Sequence, residues 1–496
     1  MKYVPIEIPP GVYRNGTEYQ SRGRWYDASL VRWENGEMKP VGGWQQKGST
    51  TMSGTARGII TWRGNSVGVY AAVGNTGDTT DTNLYAIKSD NTFVDITPAV
   101  IQAQASDASQ AGYGWLTYGA GTYGTPREAV SGSYTFAPTW SLDTWGQYLV
   151  ACLSGDGRLY EWQLDSSTPA QPIANAPGEC VGLVVTQERF LFALGADGNG
   201  RRVRWCDQGD NTTWTPASTN QAGSFIFESG GPIMQAVKTR GQTLIFTTTD
   251  IFSATYIGAP LVYSFDRVGG SNGIVSRRAA VSGDGFVAWM GPRGFWTFDG
   301  FVREIPCEVE DYVFGDFNYD QQSKVHAWVN SQYNEIWWHY PSTSATECDK
   351  YVTWNYAENH WSVGEMDSLA ACDRGVLRYP LMVHSDGNLY EHEVTGVAHG
   401  SSTPYATSGP IELPGGGTSY LTKLIPDEKT QGDLSLEIKT RRFPNGPEQA
   451  HGPYSMRNPV SLRSNARQYR VKLTQSVVGD WRWGGPRFQI VPGGDR

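Results

Sequence analysis

The sequence predicts an all-β protein, a β-propeller of six to eight blades carrying a small C-terminal β domain. Three observations lead there. Asp-Gly pairs at Asp156, Asp197, Asp284, Asp299 and Asp386, and Asn-Gly pairs at Asn15, Asn35, Asn272 and Asn445, punctuate the chain. Such pairs supply the positive φ angles of tight hairpin turns. Aromatic and β-branched residues alternate on either side of them, whereas helical periodicity is almost absent. Finally, these strand-and-turn units recur every ~40 to 50 residues, the period of a propeller blade.

Taken along the chain, the units predict blades near 54–98, 134–165, 178–228, 231–265, 273–315, 320–364 and 365–395. The pattern is clearest where Leu149-Val-Ala-Cys-Leu153 meets the turn at Asp156-Gly157 and continues as Leu159-Tyr-Glu-Trp162. It recurs at 282–289 and at 385–392. Three stretches fall outside it. Residues 1–44, with Arg22-Gly-Arg-Trp-Tyr26 and Val31-Arg-Trp33, read as extended structure with aromatic anchors. Residues 112–124 form a Gly/Tyr loop. Residues 401–496 open on a Ser/Thr/Pro/Gly linker through Gly417, and then alternate cleanly at Leu434-Ser-Leu-Glu-Ile-Lys-Thr440 and Gln468-Tyr-Arg-Val-Lys-Leu-Thr474. The expected layout is 1–53 as an extended anchor that closes the propeller, 54–400 as the propeller, and 401–496 as a separate β domain.

Composition narrows the class. With 496 residues the chain can bury a full core without disulfides or metal. Its 19 Trp, 26 Tyr and 17 Phe are incompatible with general disorder. No apolar run approaches the ~18 residues of a membrane span; the nearest, Cys180 to Leu194, is broken by Gln187-Glu188-Arg189. Met1-Lys2-Tyr3-Val4-Pro5 lacks the apolar core of a signal peptide, so synthesis in a cytoplasm is expected. The six cysteines contain no C-x-x-C pair and read as buried, reduced thiols. Net charge is −9, but residues from Ser401 onward carry 13 Lys and Arg against 8 Asp and Glu, so the acidic body bears a basic tail.

Motifs that could carry chemistry fail on context. Gly64-Asn-Ser-Val-Gly68 matches a nucleophile elbow, but a strand, Val69-Tyr-Ala-Ala-Val73, follows where a helix is required. Gly119-Ala-Gly-Thr-Tyr-Gly124 matches a dinucleotide fingerprint without a helix to receive the phosphates. The histidines offer no H-x-x-x-H pair, although His384 and His392 could meet across a hairpin. Glu308, Glu310 and Asp311 crowd one turn without a defined acid–base geometry. Ser154-Gly-Asp156-Gly and Ser282-Gly-Asp284-Gly each place glycine one position too early for a sialidase Asp box. The expectation is a protein that is not an enzyme and takes no cofactor and no metal.

Several stretches together resemble one bacteriophage family. They are Ile8-Pro-Pro-Gly-Val12, Gly23-Arg-Trp-Tyr-Asp27, Leu30-Val-Arg-Trp33, Pro40-Val-Gly-Gly-Trp44, Trp205-Cys-Asp-Gln-Gly-Asp210, Thr219-Asn-Gln-Ala-Gly223, Asn334-Glu-Ile-Trp-Trp338 and Trp354-Asn-Tyr-Ala-Glu-Asn-His-Trp361. Their order over residues 1–395 is similar to that of tail nozzle proteins of short-tailed phages, also called tail tubular protein B or packaged-DNA stabilisation (head-closure) proteins. The resemblance implies a propeller subunit of a homohexameric ring in the virion tail, assembled in the host cytoplasm. The ring would sit below the portal adaptor, bind needle, tip or fibre proteins, and pass double-stranded DNA, with no membrane partner. It brings no catalytic residues. The alternative is a carbohydrate- or receptor-binding propeller of a virion, with Trp337 and Trp338 stacking on sugars.

Candidate interface residues follow from charge and composition. Arg441 and Arg442, then Arg463, Arg467 and Arg470, are expected to meet the acidic body within the subunit or at the ring seam, since guanidinium pairs bidentately with carboxylates. A conducting wall is expected to be acidic or neutral, because Lys and Arg would hold phosphates. Tyr113, Trp115, Tyr118 and Tyr123 of the Gly-rich loop are expected to reach a partner or the bore, being too apolar for a plain solvent loop.

Overall fold

The computed structural model describes residues 2–493 apart from 66–67, 78–80, 105–106, 108, 112–132, 229, 413–416, 427–431 and 445. Seven four-stranded antiparallel sheets follow one another, over 55–95, 140–172, 182–226, 233–270, 280–305, 326–365 and 370–394. We number them blades 1 to 7. The first strand of each blade lies beside the first strand of the next, and Ala370–Cys372 of blade 7 lies beside Thr55–Arg63 of blade 1. The ring is therefore closed. It is a seven-bladed β-propeller.

The turn dipeptides sit where hairpins need them. Asp156-Gly157, Asp197-Gly198 and Asp386-Gly387 join the second and third strands of blades 2, 3 and 7. Asp284-Gly285 and Asp299-Gly300 serve blade 5. Blades 2 and 7 share a further device. In Asp156-Gly-Arg-Leu-Tyr160 and Asp386-Gly-Asn-Leu-Tyr390, the tyrosine hydroxyl donates to the Asp carboxylate four residues back, at 2.6 Å in both. Of the two near-Asp-boxes in the sequence, the one at Asp156 is thus a turn lock, while Asp284 sits in the hairpin between Ala280–Ser282 and Val287–Met290.

Closure uses the N-terminal region. Blade 7 has three consecutive strands, and its fourth is Gly43–Gln46, paired with Leu389–Val394. A bulge between Glu391 and Val394 holds Glu393 at φ 64°, which turns its carboxylate into the protein.

Besides two two-stranded pairs, Val31–Glu34 with Glu37–Pro40 and Ser109–Ala111 with Ser133–Thr135, two larger sheets lie outside the blades among the described residues. One orders Lys2–Pro5, Arg487–Pro492, Ser419–Ile425 and Val460–Ala466; the other runs from Trp25–Ser29 through Tyr405–Ser408, Gln468–Gln475 and Leu434–Arg441 to Gln449–Ser455. Each takes a strand from the first thirty residues. The expected separate domain over 401–496 is therefore not what the sheets show. The physical reason lies in the alternation itself. Leu434, Leu436 and Ile438 form an apolar stripe that needs a cover, and it belongs to one continuous core with Trp25, Trp33, Trp289, Trp338 and Trp361.

Candidate functional site

The seven first strands enclose an axial cavity of about 340 Å³. Its wall is narrow where it is made of small residues: Gly58, Gly182, Ala280, Ala327 and Ala371. Side chains clamp neighbouring blades across it. Ser141 Oγ donates to Leu183 O at 2.9 Å and accepts from Leu183 N at 3.1 Å, tying blade 2 to blade 3. Gln235 does the same for blades 4 and 5, donating to Ala280 O at 2.9 Å and accepting from Ala280 N at 3.0 Å.

Charge is unevenly distributed along the axis. Where the first strands of blades 1, 5 and 6 begin stand Arg57, Arg277, Arg278 and Lys324. Arg57 forms a two-bonded pair with Glu347 at 2.7 and 2.8 Å. Lys324 Nζ shares Glu347 at 2.8 Å and also reaches Asp107 at 2.6 Å. Burial pushes the Glu347 carboxyl up, but Arg57 and Lys324 outweigh it and hold the group below its ordinary value. Arg277 and Arg278 line the cavity and take part in no ion pair among the described residues. Burial lowers the guanidinium of Arg277 to about 10 and that of Arg278 to about 9. At the opposite end, Asp284 and Asp373 border a second cavity of about 490 Å³ that shares Ile59, Val281 and Ala327 with the first. There Asp143 is paired with Lys238 at 2.8 Å.

Two polar clusters lie off the axis. Arg32, on the strand Val31–Glu34, donates to both oxygens of Glu335 at 2.8 and 2.9 Å and to Glu393 at 2.7 Å. All three side chains are at most 4% exposed. Glu393 also accepts from Asn330 and from the Gly42 amide, and Glu335 accepts from Trp337 Nε1. The Tyr333 ring covers the guanidinium at 3.8 Å. The carboxylates of Glu335 and Glu393 hold Arg32 protonated against its burial, while burial and the neighbouring Glu393 push Glu335 upward. The second cluster joins His384 and His392, whose Nε2 atoms lie 2.9 Å apart, with Trp44 stacked on His392 and meeting His399 edge-on. Burial keeps these histidines neutral. No group of three or more potential metal ligands occurs among the described residues.

The residues singled out in the sequence scatter. Arg441 is buried, donates to Gln468 at 2.8 Å and pairs with Glu18 at 3.4 Å. Arg470 pairs with Glu18 at 2.8 Å and with Glu448 at 3.0 Å. Arg467 lies over the Phe443 ring, and Arg442 and Arg463 are exposed. Tyr113, Trp115, Tyr118 and Tyr123 lie outside the described residues, as does Gly119 to Gly124. The sugar-stacking role expected of Trp337 and Trp338 is corrected. Both are buried, and their indole N–H groups donate to Glu335 and to Ala279 O. A blade packed on both faces buries successive residues of its strands. Strands Thr55–Arg63 and Val69–Thr76 pair directly around Gly64 to Gly68, so that segment joins a hairpin and is no elbow. Sequence reasoning missed Arg277 and Arg278, although an Arg-Arg pair directly before the apolar run Ala279-Ala-Val281 was a visible signal.

No protein-family description matches the chain, and no curated protein does. Solved structures do show likeness. Virginiamycin B lyase from Staphylococcus aureus is 8% identical, with a TM-score of 0.44, covering 70% of this chain and 98% of that one. A glycoside hydrolase is 9% identical, with a TM-score of 0.28, over 90% of this chain and 100% of that one. The SapL1 lectin, solved with alpha methyl fucoside, is 13% identical, with a TM-score of 0.32, over 55% and 93%. The expectation that the chain is not an enzyme is overturned as a general exclusion, because two of these similar proteins are enzymes. At such identity the likeness transfers no catalytic residue to this chain.

Proposed function

We propose that this chain is a structural virion protein, a tail nozzle or hub subunit that forms a six-fold ring around the DNA exit channel below the portal adaptor. The supporting observation is where the residues that carry the family resemblance lie. Val12 N donates to Trp361 O at 2.7 Å, and Trp25 and Trp33 fill the core shared by the propeller and the terminal sheets. Arg32 pins blades 6 and 7, and Gly43 and Trp44 lie in the closing strand. The N-terminal stretches thus fall on the seams that make propeller and terminal sheets one stiff body, while residues 205–210 and 219–223 lie in blade 3. Stiffness of that kind suits a subunit that retains a pressurised genome and later lets it pass. The ring would recruit needle, tip or fibre proteins on its outer faces.

Light scattering and negative-stain images of the protein, alone and within purified tails, test this reading. A ring at six times 54.6 kDa is the expected result. Tails that lack this chain, together with virions that keep their genomes without it, would refute the reading.

A second reading, a carbohydrate- or receptor-binding virion propeller, draws on one cleft. Between blades 2 and 3, Glu161, Gln163, Asp165, Gln171, Asn211 and Thr212 line about 350 Å³. Amide and carboxylate groups in such a cleft can pair with vicinal hydroxyls. Glycan-array binding abolished by Asn211→Ala would favour this reading over the nozzle.

A further inference from the structure

We propose that the Arg277–Arg278 end of the axial cavity is a binding site for a small oxyanion, a carboxylate or phosphate group. Four cationic side chains meet there, Arg57, Arg277, Arg278 and Lys324, and the carboxylates that pair with them are Glu347 and Asp107. Glu347 is occupied by Arg57 and Lys324. Neither Arg277 nor Arg278 has a carboxylate within ion-pair distance among the described residues. Their remaining bonds are long: Arg277 Nη1 reaches Ser154 Oγ at 3.3 Å, and Arg278 reaches the carbonyls of Leu369 and Lys324 at 3.3 to 3.4 Å. Arg277 also lies 5.2 Å from the centre of the Phe136 ring, and the Nε atoms of both arginines are buried without a hydrogen-bond partner among the described residues.

Both side chains are half-buried, and a half-buried cation without a counter-ion is costly, because burial removes part of its water and no carboxylate replaces it. Two such cations in adjacent positions, both on a cavity wall, therefore form a site that an anion would complete. The guanidinium fork matches planar carboxylate and tetrahedral phosphate oxygens. The cavity, at about 340 Å³, lies within the ~300–1,000 Å³ typical of small-molecule sites. His326 stands on the same wall, its Nε2 engaged with Ser368 Oγ at 3.0 Å. Burial, His339 and the two arginines Arg278 and Arg57 keep it uncharged, a second sign of a positive local field.

The test is thermal melting and calorimetry of the full chain with inorganic phosphate, sulfate, acetate and glucuronate, each matched in ionic strength with sodium chloride. The expected result is a saturable rise in melting temperature with at least one probe, weakened at least tenfold in apparent affinity by Arg277→Gln or Arg278→Gln. Without anion, Arg278→Gln should melt no lower than the parent, because an unpaired cation has been removed. Phosphate and sulfate acting alone would assign an inorganic or phosphoryl ligand, and acetate or glucuronate acting would assign an organic acid. Rises no larger than with chloride, or full rises in both variants, overturn the proposal. Where phosphate or sulfate stabilises the protein, crystals of the unaltered protein grown with selenate give an independent reading: an anomalous peak at the guanidinium groups supports the site, and its absence at saturating selenate overturns it.

Discussion

Replacing Arg32 by Met removes the cation from a site where two carboxylates are at most 4% exposed. Breaking a buried ion pair from one side costs ~3–5 kcal/mol, because the surviving charge stays buried without a partner. A ceiling comes from protonation. Each carboxylate can escape by taking up a proton, which from a reference value of ~4.3 costs about 3.7 kcal/mol at pH 7. The expected loss is therefore ~3–5 kcal/mol, equivalent to a ~10²–10⁴-fold drop in amide protection where opening of this region controls exchange. Hydrogen exchange on Gly43–Gln46, Glu335–Tyr340 and Leu389–Val394 reads this directly, since Arg32 joins these strands. The sign with pH is fixed. Burial already pushes Glu335 up, and without the guanidinium that push is unopposed, so the fold is fully stable only below the unfolded value of this carboxyl and weakens as pH rises through the folded one. The damage should thus shrink by up to ~2 kcal/mol between pH 7 and 5.5. Adding Glu335→Gln and Glu393→Gln to Arg32→Met should restore most of the protection. Protection within threefold of the parent, or a deficit that is the same at both pH values, refutes the reasoning.

Three further outcomes are expected. Gly42→Ala places a Cβ 2.5 Å from the Glu393 backbone, so the closing strand must shift; limited proteolysis should release the N-terminal region, with a loss of at least ~2 kcal/mol. All six cysteines are free, and burial pushes the thiols of Cys180, Cys206, Cys348 and Cys372 up to about 12; Ellman's reagent at pH 8 should find few or none in the native protein and six in denaturant. Burial holds His326, His339 and His392 neutral, His339 down to about 3, so the unfolded chain binds protons that the fold refuses. Stability should be full above ~6.5 and fall by up to ~1.4 kcal/mol per pH unit for each of these histidines below it, read from urea midpoints at pH 7.5, 6 and 5.

How much of this was legible depends on the distance over which the information acts. Blade bodies were, because a blade is a local meander: the stretch expected at 231–265 is the sheet at 233–270, and that expected at 320–364 is the sheet at 326–365. The meeting of His384 and His392 was foreseeable for the same reason, since eight residues span one hairpin. The cover over Leu434, Leu436 and Ile438 was not. Alternation announces an apolar face without saying which distant strand lies on it. Arg32, Glu335 and Glu393 are separated by 303 and 361 positions from the arginine, beyond any spacing rule. Trp337 and Trp338, expected to stack on sugars, are buried because a blade packed on both faces leaves no open face to either of two successive residues.

The arrangement of the seams bears on what the family resemblance means. Its N-terminal stretches reach the bonds and contacts that fasten residues 8–46 to blades 6 and 7 and to the terminal sheets. Val12 meets Trp361, Arg32 meets Glu335 and Glu393, and Trp44 stacks on His392. None of the residues lining the axial cavity belongs to the N-terminal stretches, although Pro40 to Gly43 line a cleft of about 90 Å³ together with Glu393. The stretches between Ile8 and Trp44 therefore close and brace this propeller. Away from these seams, two sets of residues have distinct chemistry: the axial arginines, proposed above to hold an anion, and the Glu161–Asn211 cleft, whose amide and carboxylate groups can pair with hydroxyls. Because neither set overlaps the seams, substitutions in them should alter binding without loosening the body. Substitutions at the seams should do the reverse, which separates the scaffold's role from the ligand's in one set of variants.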